Sequence, residues 1–200
     1  MATIAFGCLA SRFDDEIWEL VTEDGAPPPA HLARFVTRLD PVGEALDIGC
    51  GDGRLTELLP DERVTGAEVS TVALKRARRR LPEARFVELA PDSALPLEDS
   101  AFDLVLCAET LEHVRDVQLL LSEARRVLRP GGALALTTPA HGRRTAALAL
   151  ARGWGQVFDP LSPHLRFFDR RSLARLLGEL GFSCRLLESR DGTLFAIATR

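Results

Sequence analysis

The 200-residue chain has no tyrosine, a single methionine and no Cys-x-x-Cys pair among its four cysteines. Cys8, Cys50, Cys107 and Cys184 are scattered, and two of them fall in or beside expected core elements, so they read as reduced thiols in a cytoplasm. Long apolar runs are missing as well. The longest nearly uninterrupted stretch, around Ala146 to Ala151, is far shorter than the roughly 20 residues of a bilayer span. No basic segment leads into an apolar run at the N-terminus, so neither export nor a membrane partner is expected, and the expected location is cytoplasmic. Internal repeats and low-complexity linkers are also lacking.

What is present suits one globular domain over 1–200: 46% of residues are hydrophobic, enough for one core. The net charge of -4 conceals an asymmetry, because residues 1–70 carry 5 basic against 14 acidic side chains and residues 71–200 carry 20 against 15. The basic half, with Lys75, Arg76, Arg78, Arg79 and Arg80, suits an anionic partner such as RNA, although a run of this kind is usually the solvated face of a helix.

Hydrophobic periodicity then orders the chain. Phe13, Ile17, Leu20 and Val21 share one helical face within residues 12–22, and a second periodic stretch runs from Ala30 to Leu39 after Pro27-Pro28-Pro29. Strands are expected at Ala45–Ile48, Val64–Val69, Arg85–Leu89, Asp103–Ala108 and Ala133–Thr138. Helices are expected at Arg54–Leu59, at Thr71–Leu81 and over the stretch carrying Val117, Leu120, Leu121, Ala124, Val127 and Leu128. Arg129-Pro130-Gly131-Gly132 stops the last of these. Regularity lapses from Pro139 until Asp169, which caps a helix carrying Leu173, Leu176, Leu177 and Leu180 and ending at Gly181. Two strands follow, Ser183–Glu188 and Thr193–Thr199, joined by the hairpin dipeptide Asp191-Gly192. The fold class is therefore α/β, a doubly wound, mostly parallel sheet with helices on both faces. Its parts are an N-terminal helical cap (1–40), a ligand-binding core (41–138), a lid insertion (139–169) and a C-terminal helix with a strand hairpin (170–200).

The loop Asp47-Ile48-Gly49-Cys50-Gly51-Asp52-Gly53 joins the first strand to the following segment, the place where open parallel sheets bind ligands. Its Gly-x-Gly-x-Gly spacing departs from the dinucleotide fingerprint, whose third glycine would fall at Arg54. Asp47 suits a cationic amino group, which a loop tuned to pyrophosphate alone has no use for. Glu68, near the end of the second strand, is placed to accept both hydroxyls of a ribose.

Together with Gly66-Ala-Glu-Val-Ser70, Leu95-Pro-Leu97, Phe102-Asp-Leu-Val105 and Arg126-Val-Leu-Arg-Pro-Gly-Gly132, this loop resembles class I S-adenosylmethionine-dependent methyltransferases over residues 45–138. The resemblance implies a Rossmann-like sheet of seven strands with the last antiparallel. It also implies S-adenosylmethionine across the carboxyl ends of the first strands, on Asp47, Gly49, Cys50, Gly51, Gly53, Glu68, Val69 and Ala108. The family commonly has an Asp five residues before the Pro of its Leu-Pro motif. Here that position is Pro91, and the adenine contacts pass to Asp92 and Ser93.

Glu109, Glu112 and His113 fall on one face of a helical turn directly after the strand Asp103–Ala108. Two carboxylates and an imidazole are half of a site for a divalent cation, and His164 in the insertion is the natural completing ligand. Glu-x-x-Glu-His with a later His resembles two metal-dependent branches, the ubiquinone-biosynthesis O-methyltransferases and the small-RNA 3′-terminal 2′-O-methyltransferases. Magnesium or another divalent cation would chelate neighbouring oxygens of the acceptor. Two other readings of the same residues stand beside it: a helix start whose His packs locally, and a direct catalytic general base at His113 or His164. His141 is an alternate ligand, His31 is remote in sequence, and Trp18 and Trp154 fall in the segments expected to cap the pocket.

Methyl transfer from a sulfonium is a direct displacement, so the lack of a catalytic triad is no objection. No Asn-Pro-Pro-Tyr run marks an amine acceptor. The expected activity is O-methylation of a hydroxylated small molecule. The alternatives are 2′-O-methylation of a terminal RNA ribose and a non-catalytic cofactor-binding module. No oligomeric state is legible.

Overall fold

A computed structural model describes residues 14–22, 27–39, 43–59, 63–158 and 162–200. Seven strands form one sheet in the order β3-β2-β1-β4-β5-β7-β6. They are β1 (Ala45–Ile48), β2 (Val64–Glu68), β3 (Arg85–Glu88), β4 (Phe102–Ala108), β5 (Leu128–Pro139), β6 (Ser183–Arg190) and β7 (Thr193–Thr199). The pairs among β1 to β5 are parallel, and β7 runs antiparallel to both β5 and β6. Asp191 and Gly192 both take positive φ in the β6–β7 turn, the backbone that a two-residue hairpin needs.

Helix α1 is described over residues 14–20, and α2 covers Ala30–Val36. The rest are α3 (Thr71–Arg80), α4 (Val117–Val127), α5 (Arg143–Arg152), α6 (Trp154–Val157) and α7 (Arg170–Glu179). Side chains alternate across each strand, so the sheet builds an apolar layer on each face. Leu46 and Ile48 of β1 enter one layer with Leu121, Val127, Leu173 and Leu177 of α4 and α7. Ala45 enters the other with Leu32, Phe35 and Val36 of α2 and the buried Phe195 of β7. No helix among the described residues is long and apolar enough to cross a membrane.

Local sequence explains the boundaries. Ser70 caps α3 by accepting from the Ala73 amide, Asp116 caps α4 by accepting from Leu119, and Asp169 with Ser172 forms a reciprocal capping box on α7. The expected helix over Arg54–Leu59 is only a 3₁₀ turn, Thr56–Leu58, and Leu59 is already extended, as a residue before proline must be. The expected lapse over 139–169 is also corrected. α5 and α6 lie within it, and they escaped the periodicity reading because α5 buries Ala149 alone and so has no apolar stripe. The apolar face expected of residues 12–22 is corrected as well. Leu20 is 85% exposed and Val21 is also exposed, while Asp15 and Trp18 of α1 are turned inward by polar and stacking contacts that hydrophobic periodicity does not register. Phe13 lies outside the described residues.

β1 pairs with β2 on one side and β4 on the other, so the chain leaves β1 in one direction and later returns to its opposite edge. The loops after β1 and β4 therefore diverge, and a crevice opens at their carboxyl ends. The 95–97 segment, just before β4 in the chain, is stapled to α4 by Arg126. The guanidinium donates to the carbonyls of Leu95 and Leu97 and to the carboxylates of Glu123 and Asp99, and the Leu95 amide donates to Glu123. Replacing Arg126 with Ala is expected to lower the unfolding free energy by about 2 kcal/mol, read from urea melts. An unchanged midpoint would show that the staple contributes nothing.

Candidate functional site

The glycine loop is held to its neighbour strand from its first residue. The amides of Gly49 and Cys50 both donate to the Ala67 carbonyl, at 2.7 and 3.2 Å. Gly49 and Gly51 have positive φ, and a Cβ on either would collide with a side chain, Thr110 at Gly49 and Trp18 at Gly51. Behind the loop, Glu68 is buried and its carboxylate accepts from the amides of Gly51 (3.0 Å), Val69 (2.8 Å) and Ser70 (3.0 Å). Burial pushes its pKa up despite these donors.

Asp47 lies beneath the loop, 2% exposed. Thr56 Oγ1 donates to its Oδ2 at 2.6 Å. No cationic side chain among the described residues pairs with it, and burial raises its pKa to about 7. A ligand ammonium would supply the missing counter-charge. Asp47, Gly49, Cys50, Gly51 and Ala108 line one cavity of about 310 Å³, together with Trp18, Pro27–Pro29, Asp52, Arg54, Leu55 and Glu109. Gly53 packs instead against Ala77 of α3. Val69, half-buried, continues the Glu68 turn. Asp92 and Ser93 lie beyond β3, both exposed, with Asp92 paired to Arg115 at 2.8 Å and the Ser93 hydroxyl donating to the Pro91 carbonyl at 3.2 Å.

The second cluster forms at the end of β4. Glu112, His113 and His164 place one ligand atom each within 4.8 Å of one another. Residues about fifty apart in sequence meet because the amides of Leu165 and Arg166 both donate to the Glu112 carbonyl. His113 Nδ1 lies 3.1 Å from the Pro163 carbonyl. With the proton on Nδ1 for that hydrogen bond, Nε2 keeps its lone pair, 3.8 Å from Glu112 Oε1. Glu112 is 1% exposed, its Oε2 accepts from the Thr138 hydroxyl at 3.0 Å, and burial raises its pKa to about 7. A buried carboxylate with no lysine or arginine partner among the described residues, facing two imidazoles, fits a divalent cation. Glu109, the fourth expected ligand, stands apart from this trio: its carboxylate accepts from the Thr137 hydroxyl at 2.9 Å and it lines the cavity at the glycine loop.

The other aromatic and imidazole side chains sort by contact. His31 Nε2 lies 3.3 Å from the Thr193 hydroxyl with its ring edge-on to Phe195, a packing role. Both ring nitrogens of His141 are buried without a hydrogen-bond partner, and its ring packs against Phe167 and Phe158. Trp154 stacks on Phe158 and is 71% exposed. Thr56, Thr110 and Asp15 shape the site without a signal in the sequence, because hydroxyls and carboxylates at such separations have no diagnostic spacing.

Residues 46–136 match the family described as a methyltransferase domain. The chain is 34% identical over 209 residues to the ubiquinone biosynthesis O-methyltransferase of Xanthomonas axonopodis pv. citri, covering 95% of this chain and 82% of that protein. The chain belongs to the class I S-adenosylmethionine-dependent methyltransferases. This methyltransferase is also 36% identical over 121 residues to the trans-aconitate 2-methyltransferase of Paracidovorax citrulli, across 58% of its own length and 46% of that relative. It spans 43–51% of the length of four of its curated relatives. Its fold matches the crystal structure of an S-adenosylmethionine-dependent methyltransferase from Thermotoga maritima, with a TM-score of 0.70 at 24% identity over 96% of this chain and 98% of that one.

Two expectations follow for the donor pocket. Considered by itself, Asp47 takes up a proton on folding between the ordinary carboxylate value of about 4 and its own value of about 7, so its contribution makes the fold less stable as pH rises through that window. A ligand ammonium favours the ionised carboxylate, and S-adenosylhomocysteine binding at pH 6.5 should release protons, read by calorimetry in buffers of different ionisation enthalpy. Binding heats independent of buffer would remove Asp47 from the ammonium site. Glu68→Ala orphans three backbone amides and should weaken S-adenosylhomocysteine by about 1–3 kcal/mol while lowering Tm. Unchanged affinity would remove Glu68 from the donor site.

Proposed function

We propose that this methyltransferase transfers the methyl group of S-adenosylmethionine to an oxygen of a hydroxylated small molecule, with a divalent cation held by Glu112, His113 and His164. One observation carries the reading: a buried carboxylate with no lysine or arginine partner among the described residues meets two imidazoles at the end of β4. The similarity to a ubiquinone biosynthesis O-methyltransferase over 95% of the chain supports an oxygen acceptor.

In this reading the chain's own residues divide the work. Asp47 takes the donor's amino group, Gly49 to Gly51 bring backbone against its methionine part, and the Glu68 turn meets its ribose, with Val69, Asp92 and Ser93 toward the adenine. Ala108 and Glu109 form the floor between the donor pocket and the cation ligands. Direct displacement requires acceptor oxygen, methyl carbon and sulfur in line, so placing the acceptor is the main contribution of the protein. Bound there, a divalent cation would lower the proton affinity of the acceptor hydroxyl and fix its direction. Glu112 and the two imidazoles then serve as ligands, and no separate strong base is required of them.

The experiment is a labelled-methyl assay over hydroxylated metabolites, catechols and short RNAs, with magnesium and with chelator. Chelator should abolish turnover and leave S-adenosylhomocysteine binding intact, and Glu112→Gln should lower turnover by a factor of at least about ten, the scale of losing one metal ligand's support. Full turnover in chelator would end the cation reading. Transfer confined to RNA 3′ ends would replace the small-molecule acceptor with a terminal ribose.

A further inference from the structure

The donor pocket has a wall that the family motifs do not include. α1 crosses from the glycine loop to the turn after β2, and its contacts to both are specific. Asp15 Oδ1 accepts from the Ser70 hydroxyl at 2.6 Å and the Val72 amide at 3.2 Å, and Oδ2 accepts from the Thr71 hydroxyl at 3.1 Å. These three residues start α3, where the positive end of the helix adds to the attraction. The same turn supplies the Val69 and Ser70 amides to Glu68 on its other side. One turn later in α1, the Trp18 ring lies against Gly51 and lines the donor cavity. At the far end, Arg76 donates to the Val21 carbonyl at 2.8 Å and Arg54 to the Thr22 carbonyl at 3.3 Å.

Among the described residues, polar contacts and one ring are what fasten the segment. No described residue of 14–22 is fully buried. An element attached by a few hydrogen bonds and one ring, with little apolar burial, opens at far lower cost than the sheet beneath it. It also lies over the loop and the turn between which the donor is placed.

We propose that α1 is a latched wall of the donor pocket, fastened by Asp15 to the Ser70–Val72 turn and by Trp18 to Gly51, and that its release governs exchange of S-adenosylmethionine and S-adenosylhomocysteine. The proposal rests on the donor site assigned above. Asp15 and Trp18 act in it as positioning residues. They hold the donor in and water out during transfer, and they must let go for the product to leave.

Trp18 and Trp154 are the two tryptophans and there is no tyrosine, so Trp154→Phe leaves Trp18 as the sole indole reporter. In that background, S-adenosylhomocysteine binding should change Trp18 emission. Stopped-flow mixing should show that Asp15→Ala, and independently Arg76→Gln, raise the dissociation rate constant by about tenfold, the scale of one hydrogen bond to a charged group. Ser70 still caps α3 in both variants, and circular dichroism melts confirm that they are folded. Calorimetric binding with silent Trp18 emission, or with dissociation rates unchanged in both folded variants, would overturn the latch and leave the donor site standing. No binding of S-adenosylhomocysteine to the parent protein would overturn both.

Discussion

The Glu68 carboxylate, buried at the end of β2, accepts from the Gly51 amide of one loop and from the Val69 and Ser70 amides of the next turn. These hydrogen bonds tie the two halves of the donor crevice to each other. The fold places the ends of β1 and β2 side by side, and an unsatisfied set of backbone amides there would otherwise splay them. Everything distal inherits this register: the cradle at Gly49 to Gly51, the Ser70 cap that starts α3, and the surface on which α1 rests. The carboxylate expected to meet a ribose is thus also the mechanical joint of the pocket.

Two buried acids, Asp47 and Glu112, have no lysine or arginine partner among the described residues. Asp47 under the glycine loop is suited to an ammonium, and Glu112 at the end of β4 to a divalent cation. Both are raised to about 7 by burial, a state that a polypeptide tolerates where a ligand supplies the opposite charge. Glu109 stands between them, hydrogen-bonded to Thr137 and lining the donor cavity. The geometry thus separates the four expected cation ligands into a trio and one residue of the donor pocket.

The 139–169 segment shows how a stretch with no apolar stripe still acquires order. α5 starts on Gly142 and ends at Gly153, and the chain beyond is fixed to the β4 end by two amides on the Glu112 carbonyl. His164 reaches His113 through that backbone anchor, with ring centroids 4.9 Å apart. The segment that carries His164 is therefore anchored to the β4 end by main-chain hydrogen bonds.

The apolar strands, the Asp169 cap, the Asp191-Gly192 hairpin and the glycine loop were all legible in the sequence, because each depends on residues within a few positions of one another. So was the family, whose motifs are local to the same loops. The tertiary structure alone decided that Thr56 bonds Asp47, that Glu68 binds three amides, that Glu109 leaves the cation trio, and that α1 turns Asp15 and Trp18 inward in place of Leu20 and Val21. Among those contacts, Thr56 with Asp47, Gly51 with Glu68 and Val72 with Asp15 join residues 9, 17 and 57 positions apart. Side chains of ordinary type at such separations carry no periodicity, so their pairing is fixed only when strand order and helix docking bring them within hydrogen-bond reach.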